Sequence, residues 1–317
     1  MEEPSARREG KACMTTYGTV GASGTDHRED LPPRRSRDLR GDVDGVLAAL
    51  DVVERGPDTF VAESVSLGLP RLFGGQILAQ AFVAASRTVP ASARMHSLHA
   101  YFLRSGDPRA VVELEVARLR DGRTQFARSV TGFQNGRPLV TVMMSFARGA
   151  DGIDHQVDMP AVPHPAGLPC FADWRREVGA TDGSWGTTEA IDVRVVPAGT
   201  DSTDSFVWQR AVSPIPDDPT LQQAMLIFMS DITTLAGGLV PHGVQIGHEA
   251  VGLPRRSGVS LDHAIWFHRP VRADNWLLFA QSSPASAAGK GLIRSDVFSE
   301  DGRLVLSLAQ QGMYLSE

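Results

Sequence analysis

From Phe73 the chain reads Phe-Gly-Gly-Gln-Ile-Leu-Ala-Gln-Ala-Phe-Val-Ala-Ala, apolar on almost every side, with Pro90 beyond it. That pattern predicts a buried helix over 73–88, because no polar stripe is left to face water. A second helix is expected over 218–236. Asp218-Pro219 supplies an N-cap and a first-turn proline, Leu221, Met225, Phe228, Ile232 and Leu235 recur at helical spacing, and Gly237-Gly238 ends it. Val46–Leu50 suggests a short helix and Thr59–Val65 a strand. Alternating segments then predict strands at 96–104, 110–119, 124–134 and 138–147, with Asp121-Gly122 and Asn135-Gly136 as hairpin turns. The later part repeats the scheme. Strands are expected at 205–212, 258–269, 275–286, 290–299 and 303–314, and Glu300-Asp301-Gly302 forms the last turn.

The two parts also repeat in sequence. Ser97-Leu-His-Ala-Tyr-Phe-Leu-Arg104 falls on Asp262-His-Ala-Ile-Trp-Phe-His-Arg269, so that Phe102 meets Phe267 at a spacing of 165 (267 less 102). Arg128-Ser129 recurs as Arg294-Ser295, and Asn135-Gly136-Arg137 as Asp301-Gly302-Arg303. A repeat of this size reads as a duplicated domain, and duplicated domains commonly hold a site between them. Each half is a strand, one buried helix and a run of antiparallel strands. The expected class is α+β, a double hot dog: two tandem antiparallel sheets, each wrapped around one long helix.

Residues 46–150 form the first hot-dog domain, 151–204 a linker with a possible strand at Ile191–Val196, and 205–317 the second. Residues 1–45 have few apolar positions and many Arg, Asp, Glu, Gly and Ser, so they are expected to be a disordered tail.

Composition narrows the function classes. The chain has 317 residues, 42% hydrophobic and 21% charged, with a net charge of −6. The negative balance argues against a nucleic-acid partner. No run of 18 apolar residues and no N-terminal apolar stretch are present, so neither membrane insertion nor a secretory signal is expected. Cys13 and Cys170 give neither a disulfide framework nor a metal cluster, which suits a reducing cytoplasm.

Three polar residues interrupt apolar patterns. Asp231 lies at the edge of the second helix's apolar stripe, where a charge is costly unless hydrogen-bonded. A chemical role and a bond to a neighbouring strand backbone both fit it. Gln310 shares a strand face with Leu304, Leu306 and Leu308. It is read either as a buried amide with partners or as a strand-end cap, with Ser145 at the equivalent place in the first half. Ser260 opens a strand and shares a face with Asp262, Ala264, Trp266 and His268. No Gly-x-Ser-x-Gly elbow surrounds it, so an activated serine nucleophile is not indicated. His96, His99, His263 and His268 follow no metal-binding spacing and read as polar strand residues. Gly74-Gly75 opens the first helix, where backbone N–H groups could meet an oxyanion; close packing is the plainer reading.

Phe73-Gly-Gly-Gln, His96-Ser-Leu-His-Ala-Tyr-Phe-Leu-Arg-Ser-Gly-Asp107 and Arg118-Leu-Arg-Asp-Gly-Arg-Thr124 resemble the first half of bacterial acyl-CoA thioesterase II proteins. Ser230-Asp231, Pro241-His242-Gly243 and Leu261-Asp-His-Ala-Ile-Trp-Phe-His-Arg-Pro270 resemble the second half. The resemblance runs through about residues 50–317. It implies a double hot-dog enzyme that hydrolyses fatty acyl-CoA to free fatty acid and CoA, with no metal and no cofactor. It implies further that Asp231, Ser260 and Gln310 hold the attacking water, with Asp231 as base and Gly75 near the oxyanion. Acyl-CoA is the expected partner, and a homo-oligomer is expected. Two other classes stay open: a non-catalytic acyl-CoA binding protein, and a hot-dog enoyl-CoA hydratase. The hydratase usually pairs an Asp with a His on one segment, and none follows Asp231 before His242.

Overall fold

The computed structural model describes residues 35–149, 152–180, 189–199, 202–249 and 256–316, all within one unit, Pro32–Glu317. Residues 1–34 of the expected tail, with Cys13, lie outside the described residues.

Residues 35–45 depart from the expected tail. Arg35 bridges Ala110 and Leu39 bridges Val65. Asp42 accepts the Gly45 N–H and caps α1 (Val43–Leu50), whose Val43 and Val46 are buried. The composition average concealed a short amphipathic segment with its own cap.

The first repeat continues with β1 (Val53–Gly56), β2 (Thr59–Ala62), α2 (Gly74–Ser86), β3 (Ala93–Phe102), β4 (Val112–Asp121), β5 (Gln125–Gln134) and β6 (Arg137–Arg148). The intervening stretch supplies α3 (Phe171–Arg176) and β7 (Ile191–Val196). The second repeat comprises β8 (Asp204–Ala211), α4 (Pro219–Ser230), α5 (Thr234–Gly237), β9 (Arg256–Ser260), β10 (Asp262–Phe267), β11 (Leu277–Ala287), β12 (Lys290–Ser299) and β13 (Leu304–Ser316). Asn135 and Gly136 both take positive φ, 51° and 69°, which is the backbone a two-residue hairpin turn demands.

The strands make one antiparallel sheet in the order β1-β2-β4-β5-β6-β3-β10-β13-β12-β11-β8-β7, with β9 also on β13. Read outward from the centre, β3-β6-β5-β4-β2 is matched by β10-β13-β12-β11-β8. The two expected sheets are thus joined edge to edge by β3 and β10, which leaves neither central strand unpaired. His99 pairs with Ala264, which is also the residue 165 positions beyond it (264 less 99). The approximate twofold relation between the repeats therefore passes through that pair.

The helices α2 and α4 pack against each other on one face of this sheet, with Phe73 meeting Phe228 edge-on at 5.0 Å. Phe82, Phe146, Phe228 and Phe279 are almost fully buried, each burial worth roughly 1.5–3 kcal/mol. On the opposite face of the second repeat, Met159, Val162 and Leu168 cover Trp208, Leu278 and Phe298. The stretch 219–242 has the length and hydropathy of a membrane span, yet 89% of its apolar window is buried inside the protein.

Two of the expected elements are interrupted. The second helix does not run to 236 but stops at Ser230, with Asp231 as its C-cap, and resumes at Thr234. The strand expected over 258–269 breaks at Leu261. Ser260 pairs with Gly312, whereas Ala264 pairs with Ala309, so the register against β13 slips by one residue between them. This is a β-bulge, anchored by Gln311 N–H donating to Asp262 Oδ1 at 2.7 Å.

Candidate active site

The C-terminus of α4 abuts the N-terminus of α2, and Asp231 sits in the joint. The first turn of a helix has N–H groups without intrahelical acceptors, and its positive end favours an anion. The residue preceding α2 is Phe73, whose side chain caps nothing. Asp231 Oδ2 performs that task from the other repeat, accepting the Gly75 N–H at 2.9 Å across 156 residues of sequence. Gly74 makes the approach possible, since a Cβ there would lie 2.5 Å from Asp231 Oδ2.

The other carboxylate oxygen faces the sheet. Gln310 Nε2 donates to Asp231 Oδ1 at 3.1 Å and also to Ser260 Oγ, and the Ser260 hydroxyl lies 3.5 Å from the same carboxylate oxygen. The bulge at Leu261 is what turns Ser260 inward. Unbroken alternation would have placed Ser260 and His263 on opposite faces. With the slip, both face the helices. Asp231 is only 7% exposed and Gln310 fully buried. Burial pushes the Asp231 carboxyl up to about 6, against the lowering effect of the bonds from Gln310, Gly75 and Ser260.

The structure brings Asp231, Ser260 and Gln310 together and places Gly75 beside them, but not as expected. The Gly75 N–H is occupied by the carboxylate, so it does not point at a substrate carbonyl here. The equivalent of Gln310 is Met144 rather than Ser145, because Met144 lies opposite Leu98 on the core face, as Gln310 lies beside His263. Arg128 and Arg294 are likewise not equivalent: Arg128 is fully buried and Arg294 exposed, and a shift of one residue exchanges the faces of a strand.

The residue that sequence reasoning missed is His263. It reads as one of several strand histidines, yet it is 1% exposed and its Nδ1 lies 2.8 Å from Gln310 Oε1. Its signal was the buried face of the strand, which the unseen bulge concealed. Among the described residues no three His, Cys, Asp or Glu side chains converge as a metal site.

In the first repeat the corresponding places hold Arg87 as helix C-cap, Met95, Leu98 and Met144. At the quasi-equivalent joint the carboxylate is the N-cap Asp218, which is exposed and accepts the Thr220 and Leu221 N–H groups of its own helix, so among the described residues only the Asp231 joint buries a carboxylate. Fold and site together define a double hot-dog protein with a buried carboxylate, amide and hydroxyl cluster at the junction of its repeats.

The comparisons with known proteins agree with the fold. A family model described as acyl-CoA thioesterase matches residues 182–313, and one described as acyl-CoA thioesterase N-terminal domain matches 62–147. Human acyl-coenzyme A thioesterase 8 is 30% identical, over 99% of this chain and 96% of its own. The acyl-CoA thioesterase II TesB2 of Mycobacterium marinum superposes with a TM-score of 0.73 at 34% identity, over 86% of this chain and 98% of its own. A hot-dog protein from Alicyclobacillus acidocaldarius, at 19% identity and TM-score 0.66 over 86% and 98%, shares the fold. The chain belongs to the acyl-CoA thioesterase family, and it is a thioester hydrolase.

Proposed function

We propose that this thioesterase hydrolyses fatty acyl-CoA to free fatty acid and CoA by attack of a water held at Asp231. The observation that supports this most is the convergence of Gln310 and Ser260 on a single buried carboxylate oxygen. A water there would be oriented by the Ser260 hydroxyl and the Gln310 amide, which removes much of the entropic barrier. Asp231 takes its proton as the water oxygen bonds to the thioester carbon. With a pKa of about 6, Asp231 is largely ionised at neutral pH yet still basic enough to accept it. The C–S bond then breaks, and the proton on Asp231 passes to the departing CoA thiolate.

Since the Gly75 N–H is committed to Asp231, the positive N-terminus of α2 as a whole is assigned to the developing oxyanion. The acyl chain is assigned to the apolar space between helix and sheet. Direct attack by the carboxylate, giving an anhydride, uses the same residues. The working setting is the cytoplasm, with the protein as a homo-oligomer that contacts neither nucleic acid nor membrane interior.

The test is Asp231→Asn, followed by CoA thiol release together with direct binding of acyl-CoA. Loss of turnover with binding intact is expected. Wild-type turnover would remove Asp231 from the chemistry.

A further inference from the structure

A glutamine amide has two ends of nearly equal shape, and the chemistry above works with only one of them. The NH₂ end must face Asp231 and Ser260, because an oxygen there would oppose the carboxylate. Asp231 enforces that choice while it is ionised. Once it holds the water's proton its preference lapses, and something else must keep the amide in place until the thiolate leaves.

We propose that His263 is a positioning residue that fixes the orientation of Gln310 through its ring. The reading rests on the mechanism proposed for Asp231. With the Gln310 NH₂ turned to Asp231, its Oε1 faces His263 Nδ1 at 2.8 Å and can only accept, so Nδ1 carries the hydrogen. His263 Nε2 lies 2.9 Å from Ser230 Oγ and, with the hydrogen on Nδ1, shares the one Ser230 hydroxyl hydrogen with the Ile227 carbonyl at 2.7 Å. Ser230 is the neighbour of Asp231 in sequence. The bonds Ser230–His263–Gln310–Asp231 therefore close a ring through one peptide link, and the base and its water-holding amide are tied to the same turn of backbone.

The ring is neutral. Burial pulls the His263 pKa down to about 4, with the Gln310 bond opposing. A second proton would force Nε2 to donate, turning the Ser230 hydroxyl to its other acceptor, the Ile227 carbonyl at 2.7 Å. The neutral form keeps Nδ1 donating to Gln310 Oε1, which is the bond that orients the amide.

The fold does not need this pair. The first repeat places Leu98 and Met144 at the same two positions, both buried, with Leu98 fully enclosed. An unmatched buried amide or imidazole costs about 1–3 kcal/mol, so an apolar pair is the simpler filling. The polar pair occurs only in the repeat that also carries Asp231.

The experiment replaces His263 by Asn, Gln and Leu, with Asp231→Asn as the reference. The Asn amide reaches the place of Nδ1 and keeps a donor for Gln310. The Gln amide reaches the place of Nε2 and keeps only the Ser230 contact. His263→Gln and His263→Leu should lose about 10- to 100-fold in kcat with KM within about threefold, while His263→Asn stays within about fivefold of wild type. The acid limb of the kcat/KM profile should move to higher pH in the Gln and Leu variants alone, because a released Gln310 no longer lowers the Asp231 pKa. A purely structural role would leave that limb in place.

Equal kcat in the Asn and Gln variants, or an unshifted acid limb in the Gln variant, would overturn the proposal. This comparison decides even if His263→Leu fails to fold. If Asp231→Asn itself turns over normally, the underlying mechanism falls and takes this proposal with it; an inactive Asp231→Asn beside a fully active His263→Gln sinks only the role of His263.

Discussion

Asp231 caps the helix that begins at Gly74–Gly75, although it belongs to the end of a different helix 156 residues later. The arrangement couples the two repeats at the site itself. The Gly74 position tests it, since a methyl group there would sit 2.5 Å from Asp231 Oδ2 and 3.0 Å from the Phe102 ring. Gly74→Ala should displace the carboxylate and lower kcat by about 100-fold, as misplacements of this order do. Steady-state kinetics beside a melting curve checks it; a folded Gly74→Ala protein with normal kcat would show that the contact is dispensable.

Asp231→Asn should lower thioester hydrolysis by about 10² to 10⁴-fold, the range general-base catalysis supplies. Wild-type kcat/KM should fall on acidification with an apparent pKa of about 6 as Asp231 gains its proton. In Gln310→Met, which copies Met144 of the first repeat, the residual activity should show that limb at higher pH, because a bond lowering the Asp231 pKa is gone. A limb at the same pH in both proteins would assign it to another group.

Stability should depend on pH through two opposed groups. Asp231 titrates at about 6 in the folded protein against an ordinary 3.8. Its raised pKa adds stability that is complete below 3.8 and is lost as pH rises through 6, about 3 kcal/mol in all. His263 is depressed to about 4 from an ordinary 6.5. Its contribution is present above 6.5 and is lost as pH falls through 4, also about 3 kcal/mol. Asp231→Asn removes the first effect alone. Relative to wild type, the variant should therefore gain about 3 kcal/mol between pH 3.5 and pH 8. Denaturant unfolding at several pH values measures the difference, and a difference independent of pH would mean that Asp231 is not buried as a charge.

The N-terminal boundary gives a further expectation. A chain beginning at Arg35 keeps the Asp42 cap, the buried Val43 and the bridges at Arg35 and Leu39. A chain beginning at Val46 loses them. The cap is worth about 1 kcal/mol and the valine roughly 1.5–3. The shorter protein should melt several degrees lower than the longer one; equal melting would show that 35–45 only decorate the surface.

The sequence by itself determined the elements and their duplication. The apolar helices at 74–86 and 219–230 and the hairpin turns at Asn135-Gly136 and Asp301-Gly302 are written in spacings of a few residues. So is the anomaly of Asp231 and Gln310, each a polar group on an apolar surface. Tertiary structure decided what those groups touch. The partners of Asp231 come from α2, β9 and β13, and a local pattern of period 2 or 3.6 carries no information about contacts at such separations. Register is the second undetermined quantity. One residue of slip at Leu261 turned Ser260 and His263 to the same side, and one residue separates Met144 from the expected Ser145 as the counterpart of Gln310. A bulge follows from how β13 pairs with two strand segments at once, and only the assembled sheet fixes that pairing.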